Sequence, residues 1–545
     1  MKTLIYSKAR ALLMLTILLS IVLNSCRSPA YNIDVLFDAA IIKYKATLLV
    51  TDLNGTNLPN LNLSITGPDA ASIYDFSGTK AVYSPGGIIT LGVTPKAEPN
   101  ASKPIIFNII IKATGYEDLN VPMEISNGQF SQVINVNLLK SQEHTAASAY
   151  VLKSAELSDN GTTAATTIIN TPITSNVSTY TGIEIPAGTQ FKNSTGNLLS
   201  GASMDVQLIN FDNSDPLSIG LFPGGKLAAQ HVVMPGSATP AQAFFLPAAS
   251  ANIKMFIGNE EVKEFTQPLA VTSQLDPNYV SSKTGGTIKA GDQLPIYSYE
   301  VETGQFSYES VGTVTIIDGK LSMNFTTSHL TLFVIGEVFS TLSCTDIKTT
   351  YTASWLNTGT RPVNIELSTN ENKIIYTSTL LMSDGLTDIF KGLPAIPLKY
   401  KIIDSSGEIL ATGNIADPCA GTPLSITLTK PAQEFDNITL QLNVVCPGKG
   451  IILVPNFDLY FKPAGSGNAA YTILGTAKSG LIKTTLLKKG STYDFKATWG
   501  NQVKIVPNRP ITDLDMSTTV GEGLDLGKNP VTNNALLIEA CKSIN

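Results

Sequence analysis

From Lys43 onward the chain is written in short alternating runs broken by turn residues, and this pattern constrains the fold more than any other feature. In KYKATLLVTDLNGTNLPNLNLSITG two such runs flank Asp52-Leu53-Asn54-Gly55. Asn-Gly suits a tight hairpin because both residues tolerate positive φ. The alternation is cleanest from Tyr493 to Trp499, where one face is aromatic and small and the other polar; a period of two sends successive side chains to opposite sides of a strand. Long stretches rich in Glu, Lys and Ala, which would favour helix, are hard to find. Charged residues are only 15%, and Ser, Thr and Asn supply the remaining polarity, which suits strand surfaces and the turns between them. A hydrophobic share of 43% is enough to build cores and excludes a disordered chain. At 545 residues those cores divide among roughly three to five domains. The net charge of -6 and pI near 5.3 leave no basic footprint for nucleic acid.

The first residues read as a signal peptide. Lys2, Lys8 and Arg10 precede the apolar run Ala11–Leu23, which as a helix rises only about 20 Å, short of a roughly 30 Å hydrocarbon core. Leu23-Asn24-Ser25-Cys26 follows and resembles the lipobox of bacterial lipoproteins, with Asn24 a small departure from the usual Ala or Ser. The resemblance implies cleavage before Cys26 and acylation of its thiol, with more than one acyl chain giving stable anchoring. The membrane is then a partner through the lipid. Arg27-Ser28-Pro29-Ala30 reads as a tether without Asp directly after the Cys, which favours an outer-membrane location, on its periplasmic or its cell-surface face.

Beyond the anchor, the opening strand, the Gly86-Gly87 turn, Ala113-Thr114-Gly115-Tyr116 and a closing strand ending Asn137-Leu138-Leu139 resemble the carboxypeptidase regulatory-like (transthyretin-like) sandwich. Ile185-Pro186-Ala187-Gly188-Thr189, Leu221-Phe222-Pro223-Gly224-Gly225 and Ser328-His329-Leu330 resemble an extracellular β-sandwich of the zonula-occludens and astroprincin type, whose late strand is commonly richer in aromatics. Such relatives serve adhesion and scaffolding, and fold alone does not fix function. Two later segments, opened by RPVNIELST and NITLQLNVV, look like versions of the first sandwich, with Gly385 and Gly480 leading strands before tight turns. The expected fold class is therefore all-β, tandem β-sandwich (Ig-like or transthyretin-like) domains after a lipoprotein signal peptide. The expected boundaries are leader 1–25, tether 26–42, sandwich 43–140, linker and first strands 141–178, and sandwiches 179–340, 341–432 and 433–545.

With Cys26 lipidated, Cys344, Cys419, Cys446 and Cys541 remain, an even number in an exported chain. Their order favours local bridges, Cys344 with Cys419 and Cys446 with Cys541, although four cysteines allow three connectivities. A metal site is disfavoured, since no Cys-x-x-Cys occurs and no His lies near a Cys. No cofactor is expected.

Candidate chemistry is sparse. His144 falls in the linker, His231 in a loop-like stretch and His329 in the late strand, and nothing local brings them to a nucleophile and an orienting acid. No hydrolase, zinc-protease or phosphate-loop motif occurs, so an enzyme is not expected. Asp52-x-Asn54-Gly55 and Asp212-Asn213-Ser214-Asp215 cluster oxygens at turns without completing a calcium loop; Asp513 and Asp515 do so less. Tyr297, Tyr299, Phe306 and Tyr308 flank a predicted hairpin, where core packing is the default reading and a sugar- or protein-binding surface the functional one. Trp355 and Trp499 lie on alternating strands and read as core. The function expected is adhesion or scaffolding by a non-enzymatic envelope lipoprotein with a protein or glycan partner; the alternative is a carbohydrate-binding surface lipoprotein serving a glycan uptake system.

Overall fold

The computed structural model describes residues 42–53, 58–76, 78–100, 103–356, 360–432, 437–445, 452–453, 457–467, 471–477, 480–499 and 502–521. The chain is all-β. Among the described residues, α-helix is confined to Leu217–Leu221, with a few single 3-10 turns beside it.

The first sandwich sets the pattern. Lys45–Asp52 pairs antiparallel with Ile88–Val93 and parallel with Ser131–Leu138, while a facing sheet is built from Asn62–Thr66, Ile105–Lys112 and Leu119–Ile125. Ile105, Phe107, Ile109 and Ile111 alternate inward on one strand and join Ala46, Leu48, Val50, Val121 and Met123 in one core. The period-two pattern thus becomes an inner face, because shifting it by one residue would turn every apolar side chain to water.

The central sandwich is a single thirteen-stranded sheet coiled on itself. Its longest strand, Ala241–Ile257, carries Pro247 at a bulge opposite Gly336. A proline has no N–H for the ladder, and a Cβ on Gly336 would come within 2.1 Å of the Leu246 carbonyl, so the two residues accommodate one another. The stretch 141–178, expected as a linker and first strands, carries two strands. Ser148–Glu156 pairs with Ser203–Phe211, and Thr167–Asn170 pairs with Thr181–Ile185, so this sandwich begins well before residue 179.

The third sandwich faces Ile347–Thr352, Thr387–Phe390 and Leu424–Thr427 against Arg361–Thr369, Ile374–Met382, Leu398–Asp404 and Ile409–Ile415. A disulfide joins Cys344 to Cys419, and the Thr345 amide donates to the Cys419 carbonyl beside it. The last sandwich pairs Phe457–Pro463 with Thr472–Ala477 and Thr492–Trp499, with Gln502–Pro510 outermost. Cys26, Cys446 and Cys541 lie outside the described residues, as do Asn54 and Gly55.

The sandwiches are not independent beads. One eight-stranded sheet runs from the first into the third through the pair Thr379 and Val133. A single apolar cluster extends from Ala155 in the central sandwich to Leu428 in the third.

Candidate functional site

Gln293–Glu300 and Gln305–Ile317 form the hairpin on which the aromatic candidates lie. Its register sets Tyr299 opposite Phe306 and Tyr297 opposite Tyr308, so all four rings share one face. That face is the inner one. Tyr297, Tyr299 and Phe306 are 1%, 5% and 1% exposed, and Phe306 lies 4.5 Å from Phe245 and stacks on Phe222 at 5.5 Å between centroids. Burial, with Tyr308 adding to it, pushes the Tyr297 phenol up to about 12. Of the two readings of Tyr297, Tyr299, Phe306 and Tyr308, the geometry matches core packing, the default one, and not the ligand surface: three are core and Tyr308 packs half-buried against them. Aromatic faces that fill one another's space have none left for a sugar ring.

The other face of the hairpin gathers a hydroxyl, a carboxylate and an imidazole. Ser298 Oγ donates to Glu309 Oε1 at 2.5 Å, and His329 Nε2 stands 3.5 Å from the same oxygen. The order is wrong for nucleophilic catalysis. A base must lie between the hydroxyl and the carboxylate to take the proton and be oriented in turn. Here the carboxylate lies between the other two, and the imidazole is not the group bonded to Ser298. His231 is in the strand Ala228–Val233, paired parallel with Gln305–Ser307, not in a loop. His144 Nδ1 accepts from the Tyr150 amide.

The calcium candidates are occupied internally. Asp52 accepts from Tyr116 Oη at 2.9 Å and faces Lys140 at 3.7 Å. Asp212 accepts from the amide and hydroxyl of Ser214, and Asp215 from the Leu217 amide, which are the local bonds of Asx turns. Asp513 is exposed opposite Lys489 at 3.8 Å. Trp355 is half-buried, and its indole N–H donates to the Leu428 carbonyl at 3.1 Å.

Polar side chains also bridge the seams between sandwiches, and the first sandwich meets all three others. Glu117 accepts from Gln207 at 2.8 Å, Asn252 at 3.0 Å and Lys254 at 2.5 Å, all on the central sandwich. Asn120 Nδ2 donates to the Val301 carbonyl at the hairpin tip. Toward the third sandwich, Lys391 meets Glu124 at 2.5 Å and Asn135 donates to Thr379 at 3.1 Å. Toward the last, Lys45 meets Asp458 at 2.5 Å with both side chains under 10% exposed. Ile88 and Val133 pack there on Tyr460 and Ile473.

Both Pro-Gly-Gly segments belong to these seams. Gly224 has φ 80° and a Cβ there would sit 2.9 Å from Pro122. Gly86 has φ 59°, and its carbonyl accepts from Lys496. Positive φ and a missing Cβ are what let each turn approach its neighbour. Sequence reading found these turns but not their role, since nothing local names the opposing surface.

No protein-family model matches the chain, and no curated protein matches it. Among solved structures, the Bacillus anthracis TIE protein aligns at 10% identity over 68% of this chain and 74% of its own, with a TM-score of 0.15. The major pilin subunit of Bacillus cereus aligns at 10% identity over 88% of this chain and 99% of its own, at 0.13. A streptococcal ancillary pilin aligns at 11% identity over 43% and 93%, at 0.12. At these scores the arrangement of the whole chain is not shared, so the likeness carries no functional information.

Proposed function

We propose that this chain is a non-enzymatic cell-envelope lipoprotein, held at the outer membrane by acylated Cys26, whose joined β-sandwiches serve adhesion or scaffolding. One observation carries the reading. Charged side chains bridge one sandwich to another at Glu117, Glu124 and Lys45, which joins the sandwiches into one body. Bonds of that kind stiffen a body against hinge motion, which suits display and not turnover. The glycan-binding alternative needs another platform, because the aromatic cluster on which it rested is packed inward.

Two measurements test the proposal. Mass spectrometry of the protein extracted from native membranes should find a diacylglyceryl group on Cys26 as the new N-terminus; a free thiol there removes the anchor. Pull-down from the native envelope should capture a protein partner, whereas saturable binding on a glycan array with no protein partner would favour the alternative.

A further inference from the structure

The third sandwich holds a polar cluster between its sheets. Ile347, Thr349 and Tyr351 alternate inward on one strand. Asp388 pairs with Thr349 across the ladder and faces the same way, with the buried Phe390 two residues on. From the opposite sheet, Tyr376 and Tyr400 flank Leu367 in a cross-strand row that ends at Gly413. A Cβ on Gly413 would lie 2.4 to 2.5 Å from the Tyr400 ring and hydroxyl, so the glycine is what allows that ring to lie across its strand.

Two features set the cluster apart from ordinary packing. Thr349 and Tyr351 are 0% exposed, yet Thr349 Oγ1 and Tyr351 Oη have no hydrogen-bond partner. Buried hydroxyls are nearly always satisfied, and leaving one without a partner is unfavourable. Asp388 forms no direct ion pair among the described residues: the Ile389 amide and the charge of Lys391, itself bonded to Glu124, act on its carboxylate. Burial raises the Asp388 carboxyl above its ordinary range, and burial, with the Asp388 charge adding to it, raises the phenols of Tyr351 and Tyr376. Asp388, Tyr376 and Tyr400 are half-buried, so solvent reaches the cluster from their side.

We propose that this inter-sheet cluster is a binding site for a primary ammonium group. Asp388 supplies the counter-charge, Tyr351 Oη and Thr349 Oγ1 accept N–H bonds, and Tyr376 and Tyr400 form aromatic walls. The donor count fits, since an R–NH3+ group has three N–H donors and no acceptor. A carboxylate and two hydroxyl oxygens can take one each. Tyrosine faces attract the same charge. A neutral ligand would leave the carboxylate uncompensated in a site where charge is costly.

The test uses the chain from Arg27 onward with n-butylammonium chloride, neutral n-butanol and Nα-acetyl-lysine-methylamide as calorimetric probes. Saturable binding of n-butylammonium without binding of n-butanol is expected. Asp388→Asn should weaken it at least tenfold, because the counter-charge is removed. Tyr351→Phe should weaken it about fivefold, roughly the value of one hydrogen bond. Should one variant fold poorly, the other decides. Tighter binding of the lysine derivative than of n-butylammonium identifies a polypeptide lysine as the ligand, and weaker binding a free amine. Equal affinity for the amine and the alcohol, no binding of the amine, or unchanged binding in Asp388→Asn would overturn the proposal and leave internal water as the occupant.

Discussion

Replacing Asp458 by Ala should open the seam between the first and last sandwiches, and the size of the effect follows from the neighbours of Lys45. Its ammonium lies 2.5 Å from Asp458 Oδ1 and 3.1 Å from Thr476 Oγ1, with 7% of the side chain exposed. The same carboxylate accepts from Thr476 at 2.6 Å and Thr47 at 3.3 Å. Without Asp458 the ammonium stays buried with one hydroxyl for company, a situation that costs about 3–5 kcal/mol. Unfolding of a multidomain chain is not two-state, so amide exchange within Lys45–Asp52 and Phe457–Pro463 is the better assay. A loss of that size speeds exchange through the local opening roughly 100-fold to several thousand-fold. The double variant Lys45→Met/Asp458→Leu removes both charges and should exchange within about tenfold of the parent, since an apolar pair can replace a buried ion pair at little cost. If Asp458→Ala costs under about 1 kcal/mol, or if the double variant is as damaged as the single one, the reasoning about a stranded charge is refuted.

Other outcomes follow from the same structure. Cys344→Ala/Cys419→Ala opens a loop with a sequence separation of 75 and should cost about 4.5 kcal/mol in the chain-entropy model, read as a lower urea midpoint for the third sandwich. Phe306→Ala should destabilise the central sandwich by about 3–5 kcal/mol without altering glycan-array signals; a specific loss of binding with unchanged stability would restore the surface reading of the hairpin. Burial would raise the Asp404 carboxyl, but hydrogen bonds from Ser406 and Arg361 and from the Glu408 and Ser406 amides hold it below the ordinary value. Its stabilising contribution is therefore complete above the unfolded value of about 3.9 and lost as pH falls through the lower folded one. Asp404→Asn should be less stable at pH 7, with the gap from the parent closing below about pH 4 in an acid titration.

What was legible in the sequence was local. The alternation from Tyr493 to Trp499 predicted a strand with one apolar face, and the strand Thr492–Trp499 is there with Tyr493 and Phe495 in the core. Period two also placed Tyr297 and Tyr299 on a common side, but it cannot say whether that side looks inward; the answer depends on Phe222 and Phe245, which arrive from other elements. First strands were expected within 141–178, but the polar, Thr-rich composition did not mark the bounds of Ser148–Glu156 and Thr167–Asn170. The seams could not be read at all. Glu117 looks like any surface carboxylate until Gln207, Asn252 and Lys254 are brought to it from distant sequence. The ammonium cluster escaped notice for the same reason, since Tyr351, Asp388 and Tyr400 are spread over separate strands and match no motif.

The seam between Lys45 and Asp458 spans 413 positions, and this bears on how the molecule is made. A ribosome delivers the first sandwich long before the strand Phe457–Pro463 exists, so Lys45, Ile88 and Val133 stay wet until synthesis is nearly finished. Contacts closed over such distances form late and slowly. A nascent chain must therefore carry an unclosed flank through most of its elongation, and a premature stop before Asp458 would leave that flank permanently open to aggregation or proteolysis.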